Sequence, residues 1–148
     1  MSLEQIIPIL QLAIGPVIVI SGVGLVLLSM TNRFGRIIDR SRSLGESVRS
    51  SSTGEVQSTK RQLRILMRRA RLLRSAIAFA SVSLFLAAFL VIALFLAVLM
   101  DIEAAKLLIM IFIFCMGCLI AGLLFFIADI NVSLSALKVE IDMDLNDA

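Results

Sequence analysis

The chain has 148 residues, 59% of them hydrophobic and 17% charged, with a net charge of +3 and no histidine, tryptophan or tyrosine. Its mean hydropathy of +1.03 and its apolar share lie well above the roughly 45–50% apolar content of soluble domains, so it reads as an integral membrane protein. Without imidazole it lacks the usual acid–base group, the commonest metal ligand and the usual partner of a nucleophilic serine. It also has no G-x-S-x-G, Walker loop or glycine-rich dinucleotide turn, so no enzymatic activity, cofactor or metal is expected.

The first uncharged stretch runs from Gln5 to Asn32. With Glu4 before it and the positive charge after it, it is the reverse of a secretory signal, and it is expected to remain as a helix. Pro8, Gly15, Gly22 and Ser29 recur every seven residues along it, a stripe of small residues that suits close helix packing. Pro16 removes a backbone donor and is expected to bend the helix.

Between Arg33 and Arg74 the chain changes character, with twelve Lys or Arg against Asp39, Glu46 and Glu55, a local balance of 12 − 3 = +9. Basic loops stay in the cytoplasm, which places residues 33–74 inside, the N-terminus outside and the C-terminus inside. The apolar residues of this loop keep a helical period: Phe34, Ile37, Ile38, Ser41, Leu44 and Val48 on one side of "SSSTGE" (50–55), and Leu63, Leu66, Met67, Ala70, Leu73 and Ile77 on the other. This predicts a helical hairpin turning near Ser52, with Phe34 facing Ala70, Ile37 facing Met67, Ile38 facing Leu66 and Ser41 facing Leu63. In that register Asp39 lies beside Arg64 and Arg68, and within its own helix beside Arg36 and Arg42, so it is expected to tie the hairpin together by ion pairing.

Two further uncharged stretches follow, Ser75 to Met100 and Leu107 to Ala128, separated by Asp101, Glu103 and Lys106. About twenty apolar residues cross the roughly 30 Å hydrocarbon layer, which gives transmembrane helices at about 6–31, 76–100 and 105–128. Ala76, Ala80, Ser83 and Ala87 on the second, and Gly117 with Ala121 and Cys118 with Gly122 on the third, are further packing candidates. Cys115 and Cys118 form a C-x-x-C mid-way along the third stretch and read as small buried residues, not as a redox pair.

The last segment, 129–148, is acidic: Asp129, Glu140, Asp142, Asp144 and Asp147 stand against Lys138. Ile130, Leu134, Leu137 and Ile141 hold a heptad-like, coiled-coil spacing, so the third helix is expected to continue along the basic hairpin, with Asp129 level with Arg33 and Arg74. Asp142, Asp144 and Asn146 imitate the start of a calcium loop but lack its glycine and its twelfth position. The expected fold is therefore a single all-α membrane domain, 1–148: three transmembrane helices, a cytoplasmic helical hairpin between the first two, and a helical extension after the third.

The stretches "AIGPVIVISGVGLVLLSMTNRFGRIIDRSRSL" (13–44), "RRARLLRSAIAFASVS" (68–83) and, more loosely, "SLSALKVEI" (133–141) resemble a family of small bacterial inner-membrane proteins known only as domain of unknown function 2721. The resemblance implies a bacterial inner-membrane location and a charged cytoplasmic loop. It carries Asn32, Arg33, Arg36, Asp39, Arg40, Arg42, Arg68, Arg69 and Arg71 onto this chain without assigning any of them a role.

These features predict a self-associating scaffold or accessory protein whose basic hairpin contacts anionic lipid headgroups or an acidic protein partner. Arg64, Arg68 and Arg71 are expected to make that contact, while Arg33, Arg36, Asp39, Arg40, Arg42, Arg64, Arg68, Arg71, Arg74 and Asp129 form a structural ion-pair and topology cluster. Nucleic acid is not an expected partner, because Phe34 is the one aromatic among the basic residues of 33–74. The alternative is a homo-oligomeric channel in which Gln11, Ser21, Ser29 and Asn32 are the polar points of a first-helix lining and the arginines form a cationic cytoplasmic vestibule.

Overall fold

Long uninterrupted runs of Leu, Ile, Val, Ala and Phe leave the backbone no low-energy alternative to the helix in an apolar solvent, where each N–H and C=O must be paired within the segment. The computed structural model describes residues 3–50, 55–100 and 103–146, giving only the backbone at 3–6, 9, 12, 47–50, 55–58, 60, 61 and 136–146. The described residues form three α-helices, α1 (Leu3–Ser50), α2 (Glu55–Leu99) and α3 (Ala105–Asn146), with no strand among them. Each is long and apolar enough to cross a membrane. At about 1.5 Å per residue the 48 residues of α1 extend about 70 Å, more than twice the roughly 30 Å hydrocarbon thickness. Each helix therefore also carries turns beyond the apolar layer. Pro8 and Pro16 lie inside α1 without ending it. The turn expected at 50–55 falls largely on residues 51–54, outside the described residues.

Two compact units divide the chain, one made of Met1–Leu28 and Ala78–Gly122, the other of Ser29–Ile77 and Leu123–Ala148. The first unit buries small residues, namely Ala13, Ala80, Ser83, Ala87, Cys115 and Cys118, together with Val23 and Leu90. Its bulky side chains face outward, with Leu25 at 72%, Phe85 at 71% and Met110 at 69% exposure. This inverts the distribution of a water-soluble protein and suits a lipid solvent, in which small side chains let helices approach closely. Within the unit α2 and α3 are joined by the buried pair Ser83 and Cys115. The Cys115 thiol donates to the Ser83 carbonyl at 3.2 Å, and the Ser83 hydroxyl lies 3.5 Å from the same sulfur.

The second unit is built the opposite way. Met30, Ile37, Leu66 and Leu73 form its buried apolar part with Ala76, while Arg36, Arg40, Arg42, Arg64, Arg68, Arg71 and Arg74 are exposed. Two sequence expectations need correction here. Met67 is 58% exposed and does not face Ile37; Ile37 shares a cavity with Leu66, one residue earlier on α2. On α3, Leu134 is 60% exposed and Ile130 half-buried, so the seam does not follow Ile130 and Leu134 but passes through Asp129. In both cases a shift of one residue rotates the assumed face by about 100°. Leu137 and Ile141, with the charges at 138, 140, 142, 144 and 147, lie outside the described side chains.

Candidate functional site

Buried positions on α2 recur at steps of three and four: Leu66, then Leu73, Ala76, Ala80, Ser83, Ala87 and Leu90. The position that completes this series between Leu66 and Leu73 is residue 69, an arginine. On α3 Cys115, Cys118 and Gly122 keep the same steps and Asp129 follows seven residues on, all four buried. Opposite charges thus occupy positions that an apolar side chain would otherwise fill, and the second unit brings them together.

Asp129 has no exposed surface. The Arg69 Nε–H donates to its Oδ1 at 3.3 Å, and the Arg33 Nη1 lies 3.9 Å from its Oδ2. The Arg33 guanidinium also stacks on the Phe126 ring, with Cζ 5.4 Å from the centroid, an arrangement worth about 0.5–2 kcal/mol as it is withdrawn from water. One residue from each helix therefore converges on a buried carboxylate: Arg33 from α1, Arg69 from α2, Asp129 from α3. The match is incomplete, because Oδ2 is buried without a hydrogen-bond partner, and Arg33 reaches it at ion-pair distance only.

Beside this pair lies a cavity of about 290 Å³ lined by Arg33, Arg36, Ile37, Arg40, Leu66, Arg69 and Ser133. Arg33, Arg36 and Arg40 follow one another at three- and four-residue steps and so project from one face of α1. Ile37 and Leu66 supply an apolar wall, and Ser133 a hydroxyl from α3.

Measured against the sequence reading, Arg33 and Asp129 come together as expected, but Arg74 is exposed and Arg69 holds the second place at the carboxylate. Asp39 is exposed and pairs with none of the described arginines, Arg36, Arg42, Arg64 and Arg68 included; the carboxylate that meets arginines of both α1 and α2 is Asp129. The reason is geometric: Asp39 follows the buried Ile37 by two residues, about 200° around the helix, and turns toward solvent. Arg42, Arg64, Arg68 and Arg71 are likewise exposed and line no part of the cavity. Of the packing candidates, Gly15, Gly22, Ser29 and Gly117 are exposed, Ala121 is half-buried and Gly122 buried. A Cβ added at Gly15, Gly22 or Gly117 would meet nothing within 4 Å, so the stripe on α1 does not pack the three helices of one chain together. Cys115 and Cys118 are both buried free thiols.

Arg69, which the family resemblance carries onto the chain without a role, is the partner of Asp129 on α2. The signal was present in the sequence, since Arg69, Ala76, Ser83 and Leu90 are spaced by seven residues, as are Cys115, Gly122 and Asp129.

No curated protein and no solved structure matches the chain. The family model described as a protein of unknown function, DUF2721, matches residues 13–139, and the chain, a membrane protein of three long apolar helices, belongs to that family.

Proposed function

We propose that the protein is a membrane scaffold or accessory protein, one that self-associates in the bilayer through α1 and offers its arginine-rich segment to anionic lipid or an acidic partner on the cytoplasmic side of a bacterial inner membrane. The observation that carries this reading is that seven arginines of the second unit are exposed, while the described ion pairs engage only Arg33 and Arg69. Cationic side chains near an anionic leaflet each contribute about 1 kcal/mol of attraction, falling with salt. Self-association is supported by the outward placement of Gly15, Gly22 and Ser29, where a second helix can approach closely. Native mass measurement in lipid nanodiscs tests both parts. Wild type is expected as a defined oligomer with retained anionic lipid, and Gly22→Leu as a folded protein of lower copy number. A wild-type monomer without bound anionic lipid defeats the reading.

A second reading, the homo-oligomeric channel, is favoured by one observation: Gln11, Ser21, Ser29 and Asn32 are all exposed on α1 and free to line a space between copies. Recording from purified oligomers in planar bilayers distinguishes it, and well-folded oligomers without conductance count against it.

A further inference from the structure

We propose that the arginine cavity of the second unit binds a phosphate-type oxyanion, with Arg36 and Arg40 as its principal ligands and Arg33, Arg69 and Ser133 completing the cradle. The proposal rests on the anionic-surface reading and gives it a defined site and ligand chemistry.

The charge arrangement is the first argument. Four guanidinium groups line one cavity, and the carboxylate joined to them is Asp129, which pairs with Arg33 and Arg69. Among the described residues the balance is 4 − 1 = 3 positive charges. Arg36 and Arg40 are in no ion pair among the described residues. Asp39, although adjacent to Arg40 in the chain, is exposed and does not line the cavity. Guanidinium groups held three and four residues apart on a helix repel one another, and an anion seated among them removes that repulsion.

Geometry and size favour phosphate. The planar guanidinium fork matches two phosphate oxygens at once, and several arginines can share the oxygens of one tetrahedral group. A cavity of about 290 Å³ lies at the lower limit of small-ligand clefts, roughly 300–1,000 Å³, which suits a phosphate with a few attached atoms and excludes a folded polypeptide. Ser133 adds a neutral hydroxyl donor to the lining.

Two sources supply such a group, a phospholipid headgroup and free phosphate. The site favours the headgroup: Arg33 directly follows the uncharged stretch that ends at Asn32, and Phe126, the ring under Arg33, lies on α3 two turns before Ser133. Acyl chains have an apolar surface to follow, and the phosphate a cationic end to meet.

The test uses the full-length protein in detergent, with binding of short-chain phosphatidic acid, short-chain phosphatidylcholine and inorganic phosphate measured by calorimetry and native mass spectrometry. Phosphatidic acid is expected to bind better than phosphatidylcholine. Arg36→Gln and Arg40→Gln, both at exposed positions outside the buried pair, are each expected to weaken it about tenfold, the loss of one charge-assisted contact. Arg42→Gln and Arg71→Gln, exposed but outside the cavity, are expected to change it by less than about twofold. Binding of inorganic phosphate with the same dependence on Arg36 and Arg40, and none of phosphatidic acid, supports the site with a soluble ligand. Equal weakening by all four variants overturns the site and leaves the diffuse anionic-surface reading standing. Four variants that all bind phosphatidic acid as wild type does overturn both.

Discussion

Replacing Asp129 by Asn removes one charge while nearly preserving shape, so its effect reports the electrostatics of the buried pair. At an effective dielectric of about 20, unit charges 3.3 Å apart attract by about 5 kcal/mol and those 3.9 Å apart by about 4 kcal/mol. Most of this is offset by the several kcal/mol needed to remove the carboxylate from water. What remains large is the penalty for leaving the partners without a counter-charge, about 3–5 kcal/mol for a fully buried pair. Here that figure needs a discount, because the Arg33 side chain keeps 36% of its surface and Arg69 21%, so both can turn toward water. The expected loss is about 2–3 kcal/mol.

The assay is reversible unfolding in mixed micelles, followed by helical circular dichroism. A double-mutant cycle adds the specificity that a single variant lacks. Asp129→Asn with Arg69→Gln is expected to couple by about 1.5 kcal/mol or more, and with Arg74→Gln by under about 0.5 kcal/mol. The reasoning is refuted if Asp129→Asn unfolds within about 0.5 kcal/mol of wild type, or if Arg74 couples as strongly as Arg69.

The other variants contrast exposed with buried positions. Asp39→Asn, at an exposed carboxylate outside the described ion pairs, is expected to alter stability by less than about 0.5 kcal/mol in the same titration; a loss comparable to that of Asp129→Asn contradicts the placement. Leu73 has no exposed surface, so Leu73→Ala is expected to cost about 2–5 kcal/mol, while Met67→Gln, at a position 58% exposed, stays within about 0.5 kcal/mol. Equal costs for the two show that the buried face of α2 is misassigned. Cys115 and Cys118, at 1% and 7% exposure, are expected to resist a water-soluble maleimide in the folded protein and to react after unfolding; rapid labelling of the native state shows that the α2–α3 contact is open.

The helical class and the three apolar stretches were legible because both follow from composition over some twenty residues, where no single position decides. The continuation of α1 through Arg33, Arg36 and Arg40 was legible too, since Phe34, Ile37 and Ile38 hold the helical period where charge begins. Contacts between helices were harder. A register counted from a turn centred near Ser52 is sensitive to the smallest displacement, since moving the centre by half a residue exchanges Met67 for Leu66 opposite Ile37, an exposed side chain for a buried one. Neighbouring arginines single out Asp39 as the paired acid, yet their number says nothing about which face of the helix a carboxylate occupies. Seven-residue spacing does carry that information, and it distinguishes Arg69 from Arg74.

That spacing also suggests why a costly ion pair stands where leucine would serve. The buried residues of the first unit are mostly small and alike, and α3 shifted by seven residues, about 10 Å, in one direction would offer Leu108, Ile111 and Cys115 where Cys115, Cys118 and Gly122 stand. For Asp129 the shift has consequences, because Gly122 or Ala136 would take its place and Arg33 and Arg69 would lose their counter-charge. A polar group at one core position is a known means of fixing helix register at some cost in stability. The hypothesis is that Asp129 sets the register of α3 in the second unit. Spin labels at the exposed positions of Arg42 and Leu134 read it directly by dipolar spectroscopy: one distance in wild type, and in Asp129→Asn a second population in which α3 is displaced by about one heptad. If Asp129→Asn destabilises the protein but keeps the single wild-type distance, the pair contributes stability alone and register is set by packing.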